Sequence, residues 1–153
     1  MHWVWRMLLV AACLGLAAAF GELRATSATG PATIRVTARV VQSSSVDVGL
    51  RGRSPGDMEV SAAQVFNRRI TPRPIGSYEL VCTWVRGISR SCRGTLILPR
   101  GSIVVAGTVR HRPLYHLAVV GGTGLYDNAR GTLAVTRLGQ RPTRDLLLVR
   151  LVG

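Results

Sequence analysis

The sequence predicts an all-β protein with a single folded domain, and three observations lead there. Apolar and polar residues alternate with period two along much of the chain, whereas no segment carries a convincing 3.6-residue apolar period. Seventeen glycines and seven prolines in 153 residues break that alternation into short runs, as turns between strands do. The chain is long enough for one hydrophobic core, and no internal repeat divides it.

Taken in order, the runs read as eight strands. Thr33–Val41 places Ile34, Val36, Ala38 and Val40 on one face and Arg35 and Arg39 on the other, the pattern of a half-buried strand. Residues 49–56 are a loop rich in Gly, Arg and Ser. Asp57–Asn67 is the second strand. Residues 68–76 connect, because Pro72 and Pro74 cannot donate to a ladder. Ser77–Val85 and Ser91–Leu98 follow, joined around Gly87. Ile103–Val109, Leu114–Val120, Thr132–Leu138 and Leu146–Leu151 complete the set. Eight short antiparallel strands suit a closed barrel or a sandwich. Closure leaves no edge, and an eight-stranded barrel has room inside for one small ligand.

The two cysteines of the folded part fix a register. If Cys82 faces Cys92, Trp84 pairs with Arg90 and the turn centres on Gly87, a plausible short hairpin. Directly opposed residues stand close enough for a bridge after a small closure. Nine intervening residues fit neither a zinc pair nor a Cys-x-x-Cys redox site, so a structural disulfide is the expectation. In that register Tyr78, Leu80, Cys82, Trp84 and Leu96 share one face, either as core or as the wall of a ligand cavity.

The N-terminus reads as a processing segment. Arg6 precedes an apolar run from Met7 to Phe20 that contains Ala17, Ala18 and Ala19, the small-residue pattern of a signal-peptidase site. Cleavage between Ala19 and Ala28 makes residues 1–28 a signal peptide with a flexible join, and 29–153 the domain. Lipid attachment at Cys13 and an uncleaved anchor are the less favoured readings. A secreted protein is the expectation, and a disulfide suits an oxidising compartment.

Twenty arginines, no lysine and seven acids give a net charge of +13. The arginines are scattered and no basic cluster interleaves with aromatics, so a nucleic-acid partner is not expected. Contact with an anionic envelope remains open. Absence of lysine excludes Schiff-base chemistry, and bridged cysteines leave no thiol nucleophile. His111 and His116 do not make up a metal set, so no metal and no cofactor are expected.

The densest motif is Val119, Val120, Gly121, Gly122, Thr123, Gly124, Leu125, Tyr126, Asp127, Asn128, Ala129, Arg130 and Gly131. A phosphate loop would end in Gly-Lys-Ser/Thr. A dinucleotide fingerprint would need a further glycine where Asp127 stands, then a helix. Neither fits, and a tight connection between strands is left. This motif resembles the signature of the dirigent proteins and allene oxide cyclases, whose barrel domain also occurs in bacterial chains of unknown role. Gly56–Asp57, Ile75–Gly76, Cys82, Thr95–Leu96, Gly101, Ile103 and Ala106–Gly107 agree in order, so the likeness spans roughly residues 57–138. It implies an eight-stranded antiparallel, calycin-like β-barrel with an apolar cavity, usually trimeric. It also implies pocket arginine, tyrosine and acid side chains that steer a reactive intermediate.

Carried onto this chain, the likeness makes Arg130 and Tyr126, with Asp127 beside them, the candidate catalytic residues and Asp57 a candidate ligand contact, and the shared strand face adds Tyr78 and Trp84 as candidate ligand contacts. A turn brace is the competing role for Asp127, Arg130 and Asp57. The functional expectation is an exported barrel that holds a small apolar or aromatic metabolite and guides its cyclisation or coupling as an isomerase-like or dirigent-like protein. The alternatives are a non-catalytic binder and an envelope-associated structural protein.

Overall fold

The computed structural model describes residues 32–49, 51–67, 73–140 and 143–152. The proposed leader, with Arg6 and Cys13, lies outside them, as do residues 68–72 of the connection 68–76. The strands are β1 (Ala32–Val46), β2 (Met58–Phe66), β3 (Gly76–Arg86), β4 (Ser89–Leu98), β5 (Gly101–Arg110), β6 (Leu114–Gly122), β7 (Arg130–Gln140) and β8 (Thr143–Val152). Each pairs antiparallel with the next, and β8 returns to β1, so the sheet closes into an eight-stranded barrel. Between β6 and β7 lies a one-turn 3-10 helix, Gly124–Tyr126. The eight-stranded antiparallel expectation holds in full.

Alternation sorts the side chains. On β3, Tyr78, Leu80, Cys82 and Trp84 are buried while Glu79 and Val81 face out. On β6, Tyr115, Leu117 and Val119 take the interior, and on β8, Leu147, Val149 and Leu151 do. Together with Val36, Val65, Leu96, Ile103, Val105, Leu133 and Val135 they form one continuous core. Burying each such side chain stabilises by about 1.5–3 kcal/mol relative to exposure, which is the force that curls the sheet.

β1 does two jobs. Its first half, through Arg39, pairs with β8, and its second half, from Thr37, pairs with β2. A bulge at Val41 marks the change, since Val40 faces Ala63 and Gln42 faces Ala62. Bulges of this kind bend a strand and strengthen its twist. The β1–β8 ladder ends at Arg39, opposite Arg144, and beyond it β1 continues in its pairing with β2.

Cys82 and Cys92 are bonded, with Cα atoms 4.0 Å apart and directly opposed in the β3–β4 ladder. Trp84 faces Arg90, as the cysteine register requires. Both cysteines point inward and are buried.

Candidate functional site

The two ends of the barrel differ. Among the described residues, one end is covered by the β6–β7 connection, which lies on the β4–β5 turn. Leu125 packs against the core there, and Tyr126 and Ala129 belong to it. The glycine motif explains this closure. A β-carbon at Gly122 would run into the carbonyl oxygens of Tyr126 and Ser102, and Gly124 has φ +62° with the Arg100 carbonyl 2.6 Å from where a β-carbon would sit. Only glycine permits that approach and that backbone angle. Leu125 N–H donates to the Arg100 carbonyl at 2.8 Å, and Thr123 N–H to Ser102 at 2.9 Å, which ties the connection onto the β4–β5 turn.

Three of the candidates read from the sequence fall at this end. Tyr126 is buried in the closure. Arg130 Nη1 donates to the carbonyls of Val120 at 2.8 Å and Ala129 at 3.1 Å. Asp127 is exposed and accepts from Asn128 Nδ2 at 3.3 Å. The structure does not bring the three to the cavity described next.

At the opposite end the interior stays partly open. A cavity of about 100 Å³ is lined by Val40, Ser61, Ala63, Tyr78, Leu80, Cys82, Arg90, Tyr115 and Asp145 among others. Above it lies a wider basin of about 590 Å³ whose wall includes Ser43–Val46, Arg53, Asp57, Trp84 and His111. Ser43, Glu59, Arg137 and Thr143 line both, so the cavity and the basin adjoin.

Charged groups ring this cavity. Arg90 is 3 % exposed, and its Nη1 donates to Glu59 Oε2 at 2.8 Å while its guanidinium lies 5.4 Å from the Tyr115 ring centre. Its Nε is buried without a hydrogen-bond partner, and so is the Tyr78 hydroxyl. Asp145, 5 % exposed, accepts from Arg137 Nε at 3.3 Å. Burial pushes the Asp145 carboxyl up, with Arg137 opposing. Burial likewise pushes the Tyr115 phenol up to about 12 and the Tyr78 phenol well above its usual value. Both tyrosines are therefore O–H donors across the physiological range. An unserved buried donor costs about 1–3 kcal/mol, so two at one cavity is an arrangement that favours a bound acceptor.

Trp84 and Asp57 stand at the basin. The Trp84 ring lies between the Arg53 guanidinium, 4.9 Å away, and the His111 ring, 5.2 Å away. Burial lowers the His111 pKa, helped by Arg90 and Arg53, so this imidazole stays neutral at pH 7. His116 is exposed on β6. Asp57 clasps the β1–β2 loop: its carboxylate accepts from Val48 N–H at 2.8 Å and from Ser54 N–H at 2.6 Å, and these bonds hold its pKa down. Tyr78 thus lines the inner cavity and Trp84 the basin, with Asp57 on the basin wall.

Arg90, Glu59, Tyr115, Arg137 and Asp145 were not among the candidates drawn from the sequence. Strand phase carries the signal for two of them. Arg90 is two residues before inward Cys92, and Asp145 two before inward Leu147, so each continues an apolar alternation with a charge.

No protein-family model matches the chain, and no curated protein matches it. Solved structures do. A pyocyanin demethylase superposes with TM-score 0.70 at 21 % identity, over 79 % of this chain and 100 % of that one. The Diels-Alderase AbmU from Streptomyces koyangensis gives 0.60 at 15 % identity, over 90 % and 74 %. A pterocarpan synthase dirigent protein gives 0.58 at 13 % identity, over 80 % and 96 %. The chain shares the barrel fold of these proteins. At these identities the likeness concerns the fold and leaves the chemistry to the residues.

Proposed function

We propose that the protein holds a small apolar or aromatic metabolite in the open end of its barrel and guides a cyclisation or coupling of it. The observation that carries this reading is the unfilled polar cavity between Tyr78, Arg90, Tyr115 and Asp145, set beneath a basin walled by Trp84. A barrel whose role was only structural would close that end as it closes the other. Confinement is itself a mechanism: holding a reactive molecule in one conformation lowers a barrier without any nucleophile. The Diels-Alderase and dirigent neighbours are named for reactions in which a molecule is joined to itself or to another, and the same fold here supports that class of work.

Export goes with the reading. The apolar N-terminal run is followed by a disulfide-bonded domain, and among the described residues no helix is long and apolar enough to cross a membrane. The test is native mass spectrometry of the protein purified from its own host. A stoichiometric small molecule is expected, and it should be lost from Ser61→Leu, which fills the cavity with apolar volume. A bare protein, or a mass retained by that variant, would overturn the assignment.

One observation favours a second reading. Arg39 stands directly opposite Arg144 on β1 and β8, with exposed Arg35 and Arg150 on the same strands. Arg39 is engaged within the chain, donating to Gln64 Oε1 at 2.8 Å and lying 5.2 Å from the Phe66 ring centre, so exposed Arg35, Arg144 and Arg150 are the cations an anionic partner would meet. An envelope role would show as salt-sensitive retention on an anionic polymer, indifferent to Ser61→Leu.

A further inference from the structure

The enclosed cavity is too small for a whole metabolite. Its volume of about 100 Å³ falls well below the roughly 300–1,000 Å³ of pockets that take a whole small molecule. A ligand must therefore put only a head group inside, with its body in the 590 Å³ basin against Trp84. What that head group is follows from the groups left unserved. Tyr78 Oη and Arg90 Nε are both buried without partners, their residues are 4 % and 3 % exposed, and both residues line the cavity. Each is a donor. Neither residue is at a loose surface that could turn to solvent.

Charge then narrows the choice. The Arg90 cation is already matched by Glu59 at 2.8 Å, and the Arg137 cation by Asp145 at 3.3 Å. A carboxylate or phosphate entering this cavity would meet Glu59 and Asp145 on its wall and would have to displace one of them from its arginine. A neutral acceptor meets no such opposition. Resting on the binding role proposed above, we infer that the cavity is a subsite for an uncharged carbonyl oxygen, bound by the Tyr78 hydroxyl and Arg90 Nε, on a ligand whose aromatic body lies against Trp84 in the otherwise mostly polar basin.

The experiment compares three matched probes on the full chain by ligand-observed NMR titration: 1-indanone, indane and indane-1-carboxylate. The ketone should bind about tenfold tighter than the hydrocarbon, the gain of one or two net hydrogen bonds. The carboxylate should bind no tighter than indane. Bound 1-indanone should also show its carbonyl stretch shifted to lower frequency. Tyr78→Phe removes a hydroxyl that has no partner, so it should fold and melt no lower than the parent. Its preference for the ketone over indane should fall to within about threefold. Arg90→Lys, which keeps a cation for Glu59 and loses Nε, should weaken the preference in the same direction.

Equal affinity for indane and 1-indanone would overturn the carbonyl subsite and leave barrel binding standing, because both probes would still bind. Tightest binding by the carboxylate would overturn it as well. Failure of all three probes to bind would overturn the subsite together with the reading beneath it.

Discussion

At one end of the barrel, backbone is packed on backbone. Gly122 and Gly124 let the β6–β7 connection lie against the β4–β5 turn, and Leu125, Tyr126 and Ala129 fill what remains. At the other end the strands supply a ring of charged and phenolic side chains, and the space between them is not filled. The first end is specified by the absence of side chains, the second by which side chains the inward phase happens to deliver. Stability and chemistry are thereby separated along the barrel axis. A catalytic or binding group at the closed end would have to share space with carbonyls that tolerate not even a methyl. One at the open end can change without disturbing the closure.

Gly122→Ala should break the comparison hardest. The new β-carbon would strike the Tyr126 and Ser102 carbonyls, both backbone atoms that cannot swing aside. We expect a loss of about 3 kcal/mol or more in urea unfolding, with displacement of the one-turn helix. Probe binding at the open end, measured where the variant is still folded, should be unchanged. Equal damage to stability and binding would show that the two ends are coupled.

The disulfide gives the next largest effect, and it sits on the wall of the cavity rather than at the closure. Cys82→Ala with Cys92→Ala should cost about 2–3 kcal/mol, the value for releasing a loop of this length in the unfolded chain. Because Cys82 lines the cavity, this variant should also alter ligand affinity, which Gly122→Ala should not. Thermal melts with and without reductant, set beside a binding titration, check both parts.

How much of this was legible beforehand depends on the same division. The closed end was readable because glycine has few reasons to cluster, and the three in four residues of 121–124 announce a tight connection whatever the fold. The barrel and the Cys82–Cys92 register were readable because alternation and pairing are local rules. The polar ring was not, since a charged residue in the sequence does not say which face of its strand it occupies. Arg90 was one arginine among 20, and only the phase of Cys92 and Leu96 places it inside. Glu59 and Arg137 depend on where β2 starts and β7 stops, which periodicity fixes poorly. The resemblance drew attention to Asp127, Arg130 and Tyr126, while the geometry sets Tyr78 and Trp84 among the polar ring and its basin.

The smallest effect concerns acid, and here two carboxylates at the open end act with opposite sign. Asp57 accepts backbone hydrogen bonds and has its pKa lowered below the usual 3.8. The stability it contributes is present above pH 3.8 and is lost as pH falls through its folded value. Asp145 is buried and has its pKa raised above 3.8. Its folded form holds a proton that the unfolded chain has already released, so its contribution is present below pH 3.8 and is lost as pH rises through the folded value. Asp145→Asn should therefore flatten the decline in stability that the parent shows just above pH 3.8, and it should leave the acid limb below 3.8, which belongs to Asp57, unchanged. Unfolding free energies measured across that window decide the matter. If parent and variant run parallel above pH 3.8, Asp145 titrates as an ordinary surface acid, and the open end is wetter than the cavity geometry implies.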